Sequence, residues 1–141
     1  DDILKLEVEK KIDKIETFKN FSKNIDNTKK KVKNLFQEIS NQNKTIAGFG
    51  AARSGTTLIT QMQLGNMINY IVDDNETKQG KYSPGDHIFI RPTSYIYENM
   101  PDYLLILAWI HKKNIIRDHQ KYIQKGGSFI VCFPELEIIS K

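Results

Sequence analysis

From Asn43 onward, short apolar runs alternate with amphipathic stretches, and this alternation determines which fold class the chain can adopt. The apolar runs lie at residues 45–49, 68–72, 87–90, 103–108 and 128–133. Two of them are nearly continuous in apolar residues, which is typical of strands buried on both faces of a parallel sheet. The pattern therefore predicts an α/β fold: a Rossmann-like, doubly wound, mainly parallel sheet of about five strands.

Helices are predicted between these strands at residues 54–64, 94–99 and 112–124. The last stretch is followed by Gly126 and Gly127, and glycine commonly ends a helix. A short apolar run at the C-terminus, residues 136–139, predicts an additional edge strand.

The predicted topology also indicates where a ligand would bind. In doubly wound sheets, ligands bind beyond the carboxyl ends of the strands, where the strand order reverses. We therefore expect the loops after Phe49, Val72, Ala108 and Phe133 to converge on one site.

Before Asn43, apolar residues recur at gaps of three and four, the helical period. They are Leu4, Val8, Ile12, Ile15, Phe18, Phe21, Ile25, Val32, Leu35, Phe36 and Ile39. One long helix fits, as do two helices with a break near residues 13–17, where Thr17 would cap the second. At about 1.5 Å of rise per residue, this segment is too long to pack wholly on one small domain. We divide the chain into an N-terminal helical segment, residues 1–43, and a Rossmann-like domain, residues 44–141.

Composition and charge weigh against several functional classes. The 141 residues carry a formal charge of +4, but the lysines are interleaved with acids, and the basic cluster at 29–33 lies in a helical pattern. A solvated helix face explains that cluster better than a nucleic-acid site. No apolar stretch approaches the ~20 residues of a membrane span, and the start lacks a signal-peptide pattern, so we expect no membrane partner and a cytoplasmic location. Cys132 is expected to be inert core, and no metal site is expected because no His, Cys or acid group has ligand spacing.

A glycine-rich segment, GFGAARSG at residues 48–55, follows the first predicted strand and opens the first sheet-packing helix. Glycines permit close backbone approach, and a helix N-terminus favours an anion, so this turn suits a phosphate. The candidate ligand-binding residues here are Gly48, Gly50, Ala51, Arg53, Ser54, Gly55 and Thr56. The spacing is an incomplete dinucleotide fingerprint because Arg53 stands where a third glycine is expected. A tight turn without a ligand is the structural alternative.

An acidic pair follows the second predicted strand. Asp73 stands where Rossmann domains place the acid that binds a ribose hydroxyl, and we include it as a candidate site residue. Its neighbour Asp74 is equally well explained as a turn residue.

Two further segments, VDDNETKQGKYSPGDHI at 72–88 and PDYLLILAW at 101–109, resemble a known family. It is the C-terminal domain of the S-adenosylmethionine-dependent sugar C-methyltransferases. The resemblance extends from about Phe21 to Glu135 and includes the glycine turn and the Gly126-Gly127 pair. The sequence departs from the usual family pattern at Ser54, where a lysine is common, and at Ile110, where an asparagine is common.

The resemblance implies a role within a larger enzyme. A central domain would bind S-adenosylmethionine and carry the catalytic base, and a cysteine-rich N-terminal domain would bind zinc. Neither is in this chain, which would bind a nucleotide-linked deoxysugar beside these upstream domains. The resemblance therefore implies a methyltransferase part that has no catalytic residue of its own and is inactive alone.

Two loops supply the remaining candidate substrate-binding residues. The irregular stretch 78–85 carries Lys78, Lys81 and Tyr82, although it would also fit an ordinary solvated crossover. Trp109 and His111 follow the fourth predicted strand, where the indole would cover a sugar or base or simply close the sheet end. His111 is also compatible with an exposed role.

Two other functions remain open at this point. The chain would also fit an independent Rossmann-like module that binds a nicotinamide or other nucleotide cofactor. A non-catalytic interaction domain, with the N-terminal helical segment as its contact surface, is the third possibility.

Overall fold

The computed structural model describes residues 2–141. Two helices come first, α1 (Asp2–Glu9) and α2 (Ile15–Asn41). The break between them confirms the two-helix alternative, but the predicted cap at Thr17 is wrong. Thr17 lies inside the first turn of α2, and its hydroxyl donates to the carbonyl oxygen of Lys11 at 2.7 Å.

The remaining elements alternate as strands and helices. They are β1 (Ile46–Phe49), α3 (Arg53–Met62), β2 (Ile71–Val72), β3 (Ile90–Arg91), α4 (Tyr95–Asn99), β4 (Tyr103–Ile106), α5 (Lys112–Asp118), α6 (Gln120–Gln124), β5 (Ser128–Val131) and β6 (Glu137–Ile139). Short 3-10 turns lie at Gly65–Met67 and Trp109–His111.

The six strands form one sheet in the order β3-β2-β1-β4-β5-β6. The pairs from β3 to β5 are parallel, and β6 is antiparallel to β5. This arrangement confirms the predicted Rossmann-like, mainly parallel sheet and its added edge strand. The order reverses between β1 and β4, as in other doubly wound sheets.

Alternate residues of the central strands pack on opposite sides of the sheet. In β4, Leu104 and Ile106 pack with α4, α5 and α6, whereas Leu105 belongs to the cluster with α2 and α3. The buried face of α2 consists of Val32, Phe36 and Ile39. The amino-terminal half of α2 and all of α1 contribute no buried residue.

Several element bounds differ from those expected. β2 and β3 are shorter than their apolar runs, and His87, expected to begin a strand, lies in a turn with φ 52°. The helix predicted at 112–124 is interrupted at His119, whose φ of −115° and ψ of 29° leave the helical region. Cys132 is 1% exposed, as expected, and burial raises the pKa of its thiol to about 12. In the described part of the chain, no helix is both long and apolar enough to cross a membrane.

Candidate functional site

The glycine turn connects β1 to α3 and lies between the end of β2 and the segment that follows β4. Gly50 has φ +92°, and its N–H donates to the carbonyl of Val72 at 2.7 Å. A Cβ at Gly50 would lie 2.8 Å from the Cβ of Ala108, the residue before the 3-10 turn after β4. The turn therefore needs glycine here both for its positive φ and for its close packing on Ala108.

The other two glycines of the turn serve packing. A Cβ at Gly48 would lie 2.7 Å from a methyl group of Leu107, and one at Gly55 would lie 2.9 Å from the Cβ of Leu107. Gly48 is buried inside β1 and does not line the cavity described below, whereas Gly55 does.

The amino-terminal end of α3 faces the same region. α3 begins at Arg53, and the preceding Ala52 provides no side-chain cap. The first N–H groups of a helix lack intrahelical acceptors, and the helix dipole places partial positive charge there. The N–H groups of Gly55 and Thr56 donate to the carbonyl of Ala52 at 2.9 and 3.3 Å, so the N–H groups of Arg53 and Ser54 are those that can donate to an anion.

Asp73, expected to bind a ribose hydroxyl, is engaged by the protein itself. Its carboxylate accepts from the N–H of Ala51 at 2.7 Å, the N–H of Asn75 at 2.8 Å and the ammonium of Lys78 at 3.2 Å. The residue is 8% exposed. Asp73 therefore joins the glycine turn to the following loop.

A cavity of about 250 Å³ lies between the glycine turn and residues 77–84. Seven of the predicted site residues line it: Gly50, Ala51, Gly55, Thr56, Lys78, Lys81 and Tyr82. Its apolar floor is formed by Ile59, Ile71, Ile90 and Leu107. The structure therefore places the glycine turn and the 78–85 loop, which two different sequence patterns indicated as ligand-binding segments, on the same cavity.

The charge of this cavity is positive. Among the described residues that line it, Lys78 and Lys81 are cationic and none is acidic. The ammonium of Lys81 donates to the carbonyl of Thr77 at 2.6 Å, and Lys78 is paired with Asp73. Both lysines keep donors available, because an ammonium has three.

Two predicted residues of the turn lie outside the cavity wall. Arg53 is exposed and Ser54 is half-buried. They occupy the first turn of α3 beside the lining residues Ala52, Gly55 and Thr56, so they lie at the rim.

Trp109 and His111 line a different cavity, of about 460 Å³, with Lys112, Phe133 and Pro134. The indole of Trp109 packs on the ring of Phe133, with 6.0 Å between centroids. The loops after β4 and β5 thus meet at one cavity and the segments after β1 and β2 at another. The contact of Gly50 with Ala108 accounts for the separation, because it fills the space between the loops after β1 and β4.

Sequence reasoning missed three polar or turn residues of the first cavity, Thr77, Ser83 and Pro84. The hydroxyl of Ser83 is buried and accepts from the N–H of Ile88 at 3.0 Å, so it fixes the loop. The irregular composition of 78–85 was the available signal for Ser83 and Pro84.

His119 lies on the opposite side of the sheet, at the junction of α5 and α6. Its Nδ1 is 2.8 Å from the hydroxyl of Tyr97, and its ring packs on Phe49. Burial lowers the pKa of His119, and the charges of Asp74 and Asp118 oppose that shift. Sequence patterns did not indicate the effect of these two acidic residues on the imidazole.

Comparison with known proteins identifies the family. The family model described as the C-methyltransferase C-terminal domain matches residues 1–134. The chain belongs to this family. A relative of this C-methyltransferase C-terminal domain is the C-methyltransferase NovU of Streptomyces niveus, 32% identical over 124 residues. That alignment covers 87% of this chain and 30% of NovU, so the chain spans less than a third of that relative's length.

A solved structure resembles the domain at low sequence identity. UDP-D-quinovosamine 4-dehydrogenase from Vibrio fischeri is 18% identical, with a TM-score of 0.46. The match covers 69% of this chain and 93% of the other.

Proposed function

We propose that this chain is the nucleotide-sugar-binding C-terminal domain of a C-methyltransferase that methylates a carbon of a nucleotide-linked deoxysugar. The observation that carries the proposal is the cavity at the glycine turn. Lys78 and Lys81 line it, the N–H groups of Arg53 and Ser54 at the start of α3 lie at its rim, and no carboxylate is among its described lining residues. Such a surface favours a phosphate group.

The size of the cavity limits how much of a ligand it holds. Its volume of about 250 Å³ lies below the range of roughly 300–1,000 Å³ typical of small-molecule sites. We infer that it binds the phosphate-bearing part of a nucleotide sugar. The rest of the ligand then lies over the neighbouring surface, which another part of the parent enzyme covers.

The residues at the rim have complementary roles in this proposal. Tyr82 is 62% exposed and offers an aromatic face to a sugar or base. Arg53 is exposed in the first turn of α3 beside the lining residues, and its guanidinium fork would bind a phosphate from the rim. Trp109 and His111 line the second cavity and would contact the portion of the ligand beyond the Gly50–Ala108 contact.

The methyl donor and the metal are assigned to the rest of the parent polypeptide. The described residues contain no group of three His, Cys, Asp or Glu side chains that would hold a metal ion. We propose, as the family resemblance implies, that zinc and S-adenosylmethionine bind in upstream domains. Those domains would supply the chemistry, and residues 44–141 would bind and orient the substrate.

The position of Asp73 weighs against the nicotinamide-binding alternative. A module of that kind uses the acid after the second strand for a ribose hydroxyl. Here that carboxylate accepts from Ala51, Asn75 and Lys78 and is 8% exposed. The acid holds the turn and the loop in place.

A thermal-shift series tests the proposal, because a ligand that binds only the folded chain raises its melting temperature. The series contains thymidine-diphosphate sugars, other nucleotide sugars and nicotinamide dinucleotides. We expect a nucleotide sugar to stabilise the chain. We expect Lys81→Met to weaken binding at least about tenfold, since a hydrogen bond to a charged group contributes roughly 1.5–3 kcal/mol.

Lys30→Met is the matched control, because Lys30 is an exposed lysine of α2 that lies outside this cavity. It should leave the affinity unchanged. Stabilisation by the dinucleotides alone would overturn the proposal. Equal weakening in both variants would show a non-specific charge effect in place of a site.

A further inference from the structure

The N-terminal helices expose an apolar surface that the domain does not cover. Its side chains are between 37% and 70% exposed: Leu4, Leu6, Val8, Ile12, Ile15, Phe18, Phe21 and Ile25. We refer to these residues as the N-terminal stripe. Two exposed phenylalanines and several branched aliphatic residues on one helical segment are characteristic of an interaction surface.

The N-terminal stripe continues the face by which α2 packs on the sheet. Phe18, Ile25, Val32 and Ile39 follow one another at intervals of seven residues, which keeps them on one helix face. Val32 and Ile39 are 0% and 2% exposed, whereas Phe18 and Ile25 are 54% and 37% exposed. The same face is therefore buried at its carboxyl-terminal half and uncovered at its amino-terminal half.

The direction of α2 places its uncovered half beyond the carboxyl edge of the sheet. The helix ends at Asn41, shortly before β1 begins at Ile46, so its last turn lies at the amino edge of the sheet. Thr28 and Leu35 line a cavity of about 570 Å³ with Pro134, which follows β5 at the carboxyl edge. The part of α2 before Thr28, about 20 Å long at ~1.5 Å per residue, therefore projects beyond the carboxyl edge.

We propose that the N-terminal stripe is the docking surface for the methyltransferase part of the parent polypeptide. This inference rests on the proposed function. The family is by description a C-terminal domain, so the remaining chain joins at the α1 end, where the N-terminal stripe begins. In NovU, 70% of the protein (100% minus the 30% matched) lies outside the matched region, which is ample for such a partner.

The location selects this partner over a second copy of the chain. The N-terminal stripe projects from the carboxyl edge, the edge at which the glycine turn and the loops after β4 and β5 lie. A catalytic domain held there faces a substrate bound in those cavities. The docking surface therefore sets the position of the chemistry over the nucleotide sugar.

Hydrogen exchange in the parent polypeptide and in the 141-residue chain tests this proposal. We expect the amides of residues 15–25 to exchange at least tenfold more slowly in the parent, at a rate that does not change with protein concentration. Phe18→Ala with Phe21→Ala should abolish the slowing. Lys19→Ala with Lys23→Ala, on the opposite face of α2, should retain it.

Each contrary result has a defined meaning. Equal exchange in the two proteins would overturn the proposal. Slowing that grows with protein concentration, with a doubled mass in sedimentation, would assign the N-terminal stripe to a second copy. Protected amides in β4 verify that each variant is folded. The thermal shift with nucleotide sugars is measured separately on the same variants, so a failed ligand response counts against the proposed function and not against the docking surface.

Discussion

Replacing Gly50 by alanine is the most direct test of how the candidate site is built. The new Cβ has two consequences. A side chain at φ +92° costs about 1–2 kcal/mol, because L-residues clash in left-handed conformations. The Cβ would also lie 2.8 Å from the Cβ of Ala108, and overpacking of this kind costs typically 1–3 kcal/mol. We expect the free energy of unfolding to fall by about 3 kcal/mol, within the 5–15 kcal/mol of an ordinary domain.

Two further variants separate these contributions. Gly126 has φ +99°, and a Cβ added there would meet no heavy atom within 4 Å, so Gly126→Ala should cost only the conformational part, about 1–2 kcal/mol. Ala108→Gly removes the atom that a Cβ at Gly50 would meet. In a double-mutant cycle the two changes should therefore show a coupling energy of about 1–2 kcal/mol.

Urea unfolding, followed by circular dichroism, gives the required free energies, with an unchanged denaturant slope as the check on two-state behaviour. The reasoning is refuted if Gly50→Ala costs no more than Gly126→Ala. It is also refuted if Ala108→Gly shows no coupling. Either result would mean that the turn relaxes away from β4 at little cost.

Three other predictions follow from the site and its surroundings. Asp73→Asn should destabilise the ligand-free chain by about 2 kcal/mol in urea unfolding, because an NH2 group replaces one carboxylate oxygen and a part-buried backbone N–H loses its acceptor. Asp74→Asn, at an exposed position, should change the free energy of unfolding by less than about 0.5 kcal/mol, and equal effects of the two changes would contradict the linking role of Asp73. Burial lowers the pKa of His119 below its ordinary 6.5, so the unfolded chain binds the proton at a higher pH than the folded chain does. The free energy of unfolding should therefore decline as the pH falls below about 6.5. A His119→Gln variant that kept this decline would show that His119 does not cause it. In the parent enzyme, Arg53→Ala should raise the Michaelis constant for the nucleotide sugar more than it lowers turnover. An unchanged Michaelis constant would show that Arg53 does not bind the substrate.

The sheet was predictable from sequence because its central strands are buried on both faces. The runs at 45–49, 103–108 and 128–133 contain β1, β4 and β5, whose side chains are mostly buried and therefore mostly apolar. The run at 68–72 is less regular in the structure. The amide oxygen of Asn69 accepts from the N–H of Ile46 at 3.1 Å, and only two residues of this run join the β2 ladder. A side-chain contact of that kind leaves no trace in hydrophobic periodicity.

The candidate site was predictable in its parts and not in its connections. The glycine turn and the 78–85 loop were each visible as irregular, donor-rich segments, and they line one cavity. The position of Asp73 after β2 suggested a ligand contact, but its carboxylate already accepts a hydrogen bond from the N–H of Ala51. Trp109 was expected beside the same ligand pocket, and the packing of Gly50 on Ala108 places it in the neighbouring one. These relationships depend on distances between segments, which sequence spacing does not encode.

The carboxylate of Asp73 has a mechanical consequence for the cavity. It tethers the glycine turn through Ala51 on one side and the opposite loop through Asn75 and Lys78 on the other, while the carbonyl oxygen of Asp73 accepts from the amide of Gln79 at 2.9 Å. We expect an anion bound in the cavity to compete with Asp73 only for the ammonium of Lys78, because the backbone N–H groups of Ala51 and Asn75 cannot turn away from the carboxylate. Backbone hydrogen bonds therefore fix both walls of the cavity, the turn through Ala51 and the loop through Gly80 and Ser83, so we expect the side chains of Lys78 and Lys81 to provide any adjustment to a ligand.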